Sequence, residues 1–296
     1  MQKTVERPLS PQLCHRARGE DTFPVEWRPL DGRDRFAVRA TWPADHPFFA
    51  PLGRGDERCH DPLLVVETLR QATMALLHAA HGMPLTRHIL LGEISLSCDP
   101  AGLAVAGEDV DIEVWFTELT SRGGELSRMR VEWTVRRAAG VVATGGADAR
   151  FAGPGAYRRL RGGHVEPGVV RPGPDARRIP ADRTGRTRPE DVLLAPGDRT
   201  DAWELVVDTG HPTLFQRPND HIPGMLFLEA ARQAATAAAW PRPFVPAELR
   251  IAFHRYAEFD GGPCLLRAEP GSTAGSVRVT GHQAGEPLFS CALRSG

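Results

Sequence analysis

Residues 220–234 read DHIPGMLFLEAARQA, a polar start and a Pro-Gly pair followed by a segment that is typical of a helix. Apolar residues continue through a run of alanines to position 239, so the predicted helix is apolar on nearly every side and should be buried. Glu229, Arg232 and Gln233 interrupt it at spacings that place their side chains on one face. Because a buried carboxylate is costly unless it is paired or used, the sequence predicts either an internal ion pair or a functional site.

The same polar face occurs a second time, 162 positions earlier in the chain. The earlier set is Glu67, Arg70 and Gln71. A strand-like segment and a His-Pro pair precede each helix, and the distance from His to Glu is 21 positions after His46 and 18 positions after His211. A repeat of this length predicts two related domains rather than a solenoid.

Length and composition fit two ordinary globular domains. The 296 residues are 41% hydrophobic and 25% charged, and the net charge of −1 favours neither nucleic acid nor a membrane surface as a partner. The five cysteines are scattered, which indicates free thiols and argues against a cysteine zinc site. We recognise no secretory segment and no apolar run of about 20 residues, so we expect a cytoplasmic protein without a membrane span.

Both halves show the same order of predicted elements, a strand before the helix and four strands after it, which predicts an α+β fold with an antiparallel sheet wrapped on a buried helix. The expected helices cover 62–81 and 223–240. The expected strands are 34–42, 88–98, 110–120, 125–136 and 141–151 in the first half, and 202–207, 247–253, 264–268, 276–282 and 287–293 in the second. A further opening strand is expected around 11–15.

We predict an N-terminal domain over 1–155, a linker rich in Arg, Pro and Gly over 156–177, and a C-terminal domain over 178–296. The arginine-rich linker has two interpretations. It is a solvated connector, or it is a docking strip for an acidic carrier protein.

The motifs together resemble one known family. The segment PGMLFLEA at 223–230 looks like the central-helix motif of the β-hydroxyacyl-carrier-protein dehydratases, which have the hotdog fold. The duplication, the His-Pro and Asp-His-x-Pro-Gly-Met motifs and the repeated Glu-x-x-Arg-Gln resemble the A-factor biosynthesis (AfsA-type) hotdog family over nearly the whole chain. The resemblance implies a tandem double hotdog, with two antiparallel sheets each wrapped on a long central helix.

The resemblance also implies an activity. It is the transfer of a β-ketoacyl group from an acyl-carrier-protein thioester to the hydroxyl of dihydroxyacetone phosphate, in the biosynthesis of γ-butyrolactone, furan or butenolide signalling molecules that regulate antibiotic production. The resemblance implies functional roles for Glu67, Glu229 and Arg232. In the dehydratases a catalytic His begins a Gly-His-Phe-Pro-Gly loop, whereas His221 lies only two residues before Pro223 and no Gly precedes it. This departure favours transfer over dehydration.

Ester formation needs a base, a site for the oxyanion and a cation for the phosphate. Glu229, its copy Glu67 and His221 are the predicted catalytic residues; burial would raise the pKa of Glu229 and Arg232 would lower it, so the net direction stays open. The backbone amides at the helix start are the predicted oxyanion donors. The predicted substrate-binding residues are Arg232, Arg70, Gln233, Gly224 and Met225, with Arg217 a weaker phosphate-binding candidate.

The remaining histidines and cysteines have competing interpretations. His46, His211 and His60 either make structural hydrogen bonds or include one further catalytic residue. Cys59 beside His60 could be interpreted as a thiol nucleophile with its base, but the side chains of adjacent residues rarely point toward each other. We expect no cofactor and no metal, because neither a Gly-rich nucleotide loop nor a metal-spaced cluster is apparent.

The resemblance places the site between two hotdog units that form an intramolecular pseudo-dimer, and further pairing into a homodimer stays open. The alternative functions are a non-catalytic module that binds an acyl ligand or a carrier protein, and a hotdog dehydratase or thioesterase.

Overall fold

The computed structural model describes residues 6–53, 58–105, 109–172 and 176–296. The chain separates into two compact units, a first unit that ends at Leu160 and a second unit over Arg161–Gly296. Residues 173–175 of the predicted linker lie outside the described residues, and the predicted domain limits stay a prediction. Part of that linker belongs to a short helix, α2 (Pro154–Arg161).

The first unit combines one long helix with antiparallel strands. Helix α1 covers Pro62–Ala79, and its side chains are buried along almost its whole length. The strands are β1 (Arg7–Pro8), β2 (Pro24–Pro29), β3 (Arg35–Thr41), β4 (His88–Cys98), β5 (Asp109–Arg122), β6 (Glu125–Arg137) and β7 (Gly140–Ala152). Within the unit they pair in the order β1-β2-β3-β5-β6-β7-β4.

The second unit repeats this plan with fewer strands. Helix α3 covers Gly224–Ala239. The strands are β8 (Leu194–Pro196), β9 (Ala202–Leu205), β10 (Pro246–Phe253), β11 (Cys264–Pro270), β12 (Ser276–Gln283) and β13 (Glu286–Ser295). They pair antiparallel in the order β10-β13-β12-β11-β9-β8. Pro241 lacks the amide hydrogen that would continue α3, so the helix stops just before it.

The core of each unit follows from alternation along the strands. In β5, for example, Val110, Ile112, Val114 and Phe116 are buried, while the residues between them are half-buried or exposed. Successive side chains of a strand point to opposite faces, so one face of the sheet packs on the core. Among the residues that the structure describes, no helix is both long and apolar enough to cross a membrane.

Both predicted helices and nearly all predicted strands are present, but one strand prediction was wrong. Residues 11–15 form a turn, closed by hydrogen bonds from Leu13 and Cys14 to the carbonyl of Ser10, and His15 has a left-handed φ of 57°. The sequence also did not reveal β2 or β8. Proline occurs at both ends of β2 and at the end of β8, and proline is a weak strand signal because it cannot donate to a ladder.

Candidate functional site

Glu229 is fully buried on α3, and two arginines hold it. Arg186 donates from Nε to Oε1 at 2.8 Å and from Nη2 to Oε2 at 2.6 Å. Arg232 donates from Nε to Oε2 at 3.0 Å and from Nη2 to Oε1 at 2.7 Å, and Gln233 Nε2 adds a bond of 2.6 Å to Oε1. Burial opposes the charge of Glu229, but the two guanidinium groups outweigh burial and lower its pKa to about 2.

The direction of this pKa shift matters for the predicted base. A carboxylate with a pKa of about 2 takes up a proton poorly at neutral pH, so the geometry supports the ion-pair interpretation of Glu229. Arg232 has little to offer a phosphate, because its third nitrogen, Nη1, donates to the carbonyl of Thr184 at 3.1 Å. The structure therefore brings Glu229, Arg232 and Gln233 together as predicted, in a closed cluster.

Glu67 on α1 has the same surroundings in the first unit. Arg70 binds it through Nε at 2.8 Å and Nη2 at 2.7 Å, Gln71 donates at 2.7 Å, and Arg16 donates from Nε at 3.0 Å and from Nη2. Burial opposes the charge here too, and the two arginines lower the pKa of Glu67 to about 2. One difference is that the Arg70 side chain is 22% exposed, whereas that of Arg232 is 1% exposed.

Two of the candidate histidines support these clusters. The Nδ1 atom of His211 accepts hydrogen bonds from the backbone amides of Thr213 and Leu214, so its proton lies on Nε2, which faces Asp191 Oδ1 at 3.2 Å. The carbonyl of Asp191 accepts a bond of 2.8 Å from Gln233. His211 thus has a structural role, joined through Asp191 to the glutamate cluster.

His46 repeats this arrangement in the first unit. Its Nδ1 accepts from the amides of Phe48 and Phe49, its Nε2 lies 3.2 Å from Asp21 Oδ1, and the carbonyl of Asp21 accepts a bond of 2.8 Å from Gln71. Two copies with the same donors and acceptors favour a structural role for His46 as well.

Sequence reasoning missed the arginines and aspartates that complete the two clusters. Arg16 and Asp21 belong to the segment RARGED at 16–21, and Arg186 and Asp191 belong to RTRPED at 186–191. The two segments share the pattern Arg-x-Arg-x-Glu-Asp at an offset of 170 positions. This repeat was the signal that could have found them.

The two central helices differ at their N-termini. In the first unit Asp61 caps the helix by accepting from the amide of Leu63 at 2.9 Å, and both Asp61 and His60 are 0% exposed. In the second unit Pro223 offers no side-chain cap. The amides of Gly224 and Met225 have no acceptor within the part of the chain that the structure describes, and both residues are half-buried. Helix α3 therefore offers two free, partly accessible donors.

His221 lies just before these donors and forms a pair with its neighbour. Its Nδ1 is 2.6 Å from Asp220 Oδ1, and its side chain is 27% exposed. In the neutral imidazole, an Nδ1–H that donates to this carboxylate leaves the lone pair on Nε2. Gly224 permits close packing here, since a Cβ at this position would lie 3.1 Å from the Phe253 ring.

The first unit has no such pair. His60 is fully buried, and neither of its ring nitrogens has a hydrogen-bond partner among the described residues. Burial and the charge of Arg137 lower the pKa of His60 to about 4. Burial raises the pKa of Cys59, so nothing activates it as a nucleophile.

Two other expectations concern Arg217 and metals. Arg217 is exposed on its loop, where its carbonyl accepts a bond from Asn219. The described residues contain no group of His, Cys, Asp or Glu side chains placed to hold a metal ion.

Comparison with known proteins places this architecture in context. The family model "A-factor biosynthesis hotdog domain" matches residues 2–153 and 170–284. A protein of Streptomyces coelicolor is 50% identical over 97% of this chain and 91% of its own length, one of Streptomyces griseus is 50% identical over 98% and 96%, and one of Streptomyces virginiae is 40% identical over 99% and 98%. All three are named 2-oxo-3-(phosphooxy)propyl 3-oxoalkanoate synthase.

Solved structures with little sequence similarity share the fold. The 12:0-ACP thioesterase from Umbellularia californica superposes with a TM-score of 0.51 at 12% identity, covering 90% of this chain and 98% of that protein. An acyl-ACP thioesterase from Bacteroides thetaiotaomicron gives 0.50 at 10% identity, covering 89% and 98%. With the family match to both halves, the predicted double hotdog fold is confirmed.

Proposed function

The chain belongs to the A-factor biosynthesis hotdog family, and we propose that it transfers a β-ketoacyl group from an acyl-carrier-protein thioester to the hydroxyl of dihydroxyacetone phosphate. The observation that carries the proposal is identity of 50% over nearly the whole chain to proteins named as synthases, which makes this chain an enzyme of the family. The product in their name is an ester whose alcohol part is dihydroxyacetone phosphate and whose acid part is a 3-oxoalkanoate. Such an ester is the precursor expected for a γ-butyrolactone-type signal.

We place the reaction at the start of α3. The hydroxyl oxygen of dihydroxyacetone phosphate attacks the thioester carbonyl carbon, and its proton moves to Nε2 of His221. The new C–O bond leaves a negative charge on the carbonyl oxygen, which the amides of Gly224 and Met225 stabilise. The C–S bond then breaks, and the thiolate of the carrier takes the proton back from His221. The uncapped helix start and the free Nε2 support this assignment.

A catalytic role for Glu229 and Glu67 remains a prediction, and so does direct substrate binding by Arg232, Arg70 and Gln233. In the structure Glu67 binds Arg70, and Glu229 binds Arg232 and Gln233, so we propose that these side chains hold the two central helices in place. Acyl carrier protein as the donor, the cytoplasmic location and further dimerisation also remain predictions.

The reaction is tested directly with purified protein. We expect a β-ketoacyl carrier-protein thioester and dihydroxyacetone phosphate to give a phosphate-containing ester, detected by mass spectrometry. Dihydroxyacetone without phosphate serves as the control acceptor. Release of the free acid alone would support a thioesterase, a 2-enoyl thioester would support a dehydratase, and binding without any product would support a non-catalytic module. Each of these outcomes contradicts the proposed transfer.

The assignment of the base is tested by a matched pair of variants. His221→Ala should lower kcat by about 10²-fold or more, the usual contribution of a general base. His254→Ala is the control, because His254 is an exposed histidine of the same unit whose side chain contacts Ser290. If His221→Ala is as active as His254→Ala, His221 is not the base. In a third variant, Glu229→Gln, a loss of 10²-fold with acyl binding and stability intact would instead favour Glu229 as the base.

A further inference from the structure

Arg161, the last residue of α2, is buried although the sequence places it in a predicted solvated linker. Its side chain is 3% exposed. Nη1 and Nη2 bind the two carboxylate oxygens of Glu258 at 2.5 and 2.7 Å, and the guanidinium carbon lies 4.1 Å from the centre of the Tyr256 ring. A bidentate ion pair stacked on an aromatic ring is a rigid arrangement for an arginine.

This arginine also reaches the residue that binds His221. Its Nη2 donates to the backbone carbonyl of Asp220 at 3.1 Å, and its Nε lies 3.5 Å from Asp220 Oδ2. The other carboxylate oxygen, Oδ1, faces His221 Nδ1 at 2.6 Å. The backbone of Asp220 thus accepts a hydrogen bond from Arg161, while one oxygen of its carboxylate makes an ion pair with Arg161 and the other faces His221.

The surroundings keep this chain of contacts in place. The Tyr256 ring packs edge-on against His221 with centroids 4.7 Å apart, so the same ring contacts both His221 and Arg161. Buried Gln283 binds the backbone of Glu258 on both sides, accepting from its amide at 2.9 Å and donating to its carbonyl at 2.8 Å. The partner of Arg161 is therefore itself fixed.

We propose that Arg161 is a positioning residue that orients Asp220 toward His221 and so keeps the proton of His221 on Nδ1. The inference rests on the proposed function, in which Nε2 accepts the proton of the attacking hydroxyl and returns it to the leaving thiolate. Throughout the cycle Asp220 stays ionised, Arg161 stays charged and the Nδ1 proton stays on His221. Without Arg161 the carboxylate of Asp220 loses this ion pair, and the imidazole then populates both tautomers, of which only one has a basic Nε2.

The test compares Arg161→Gln with Arg171→Gln. Arg171 also comes from the predicted linker and pairs with an aspartate, Asp208, but its side chain is 59% exposed. We expect Arg161→Gln to lower kcat about 10- to 100-fold with little change in KM, the effect of losing a group that orients a histidine. Arg171→Gln should leave kcat unchanged.

Nitrogen-15 NMR of the imidazole provides a readout that a merely structural role would not move. The His221 signals, assigned by their loss in His221→Gln, should show a single Nδ1–H tautomer in the unsubstituted protein and in Arg171→Gln. They should show a mixture in Arg161→Gln. Because Arg161→Gln leaves Glu258 without its partner, the double variant Arg161→Gln/Glu258→Gln removes both charges and serves if the single variant fails to fold.

The outcomes separate this inference from the proposed function. Unchanged kcat and a single tautomer in a folded Arg161 variant would overturn the inference, whatever reaction the protein performs. If the unsubstituted protein forms no ester, the proposed function fails, while the tautomer measurement still decides whether Arg161 controls His221. A mixed tautomer with reduced kcat would support both.

Discussion

The two units hold their central glutamates in the same way but begin their central helices differently. Glu67 and Glu229 each accept a hydrogen bond from a glutamine, and in each unit a histidine faces the aspartate of the cluster. At the helix starts, Asp61 seals α1 inside the first unit, whereas Pro223 leaves α3 uncapped and partly accessible. The duplicated polar cluster is thus the shared framework, and the helix N-terminus is the part that can differ in chemistry between the copies.

This difference explains why the more conspicuous motif is the poorer candidate for the reacting group. The Glu-x-x-Arg-Gln motif draws attention because charge inside an apolar helix is unusual, yet its side chains bind one another and the backbone of neighbouring segments. The Pro-Gly start of α3 is less conspicuous but leaves backbone donors free. Four measurements test how the two units differ and what they share.

The largest expected effect is on stability. Glu229→Ala removes the carboxylate that pairs with two buried arginines, Arg186 and Arg232, which should lower the free energy of unfolding by about 3–5 kcal/mol. Glu67→Ala should cost less, because Arg70 is partly exposed and can reach water. Urea denaturation, with hydrogen exchange reporting on each unit, measures both losses. An equal or larger loss for Glu67→Ala would show that the two clusters are not buried as described.

A second test transfers the cap of the first unit to the second. Pro223→Asp should place a carboxylate where it accepts from the amide of Met225, as Asp61 accepts from Leu63. We expect kcat to fall about 10²- to 10³-fold, the cost of losing an oxyanion donor, while stability is retained or increases. Pro223→Ala is the control and should keep its activity. Full activity in Pro223→Asp would mean that these amides do not bind the oxyanion.

A third test uses pH and concerns the buried, paired glutamates that both units share. The folded-state pKa of Glu67 and of Glu229 is about 2, below the ordinary value of 4.5. As the pH falls from about 4.5 toward 2, the unfolded chain binds more protons at these sites than the folded chain does, so the free energy of unfolding falls across this window. Above it the contribution is complete. Urea denaturation between pH 7 and pH 3 should show the decline.

The matching control is the double variant Glu67→Gln/Glu229→Gln, whose stability should vary less with pH across the same range. If the two proteins show the same pH dependence, the glutamates are not the groups that titrate.

The smallest effect on stability is expected at the capped N-terminus of α1. Asp61→Ala removes the cap of α1 and should lower the free energy of unfolding by about 0.5–2 kcal/mol without changing kcat. Asp61→Ser retains a capping oxygen and should recover most of the stability. A loss of kcat that Asp61→Ala and Asp61→Ser share, although Asp61→Ser keeps its stability, would assign chemistry to the first unit as well.

The helices and the pairing of glutamate, arginine and glutamine were predictable, because spacing along a helix fixes which side chains share a face. The partners Arg16 and Arg186 were not found in this way, since they lie 51 and 43 positions from their glutamates and no local periodicity connects them. The direction of the glutamate pKa shift likewise depends on distances to two guanidinium groups, and only the folded chain defines these. The sequence did not indicate the role of Arg161, because its position in the predicted linker suggested that its side chain is exposed to solvent.

The position of each arginine segment has a consequence for synthesis of the protein. Arg16 precedes Glu67 in the chain, and Arg186 precedes Glu229, so each of these two ion pairs lies within one unit. The first cluster can therefore close on the ribosome before residue 186 has been made, because domains generally fold as units during translation, the N-terminal one first. Each half of the chain thus carries both partners of its own ion pair, which favours pairing within one copy over pairing the charges of one copy with those of the other.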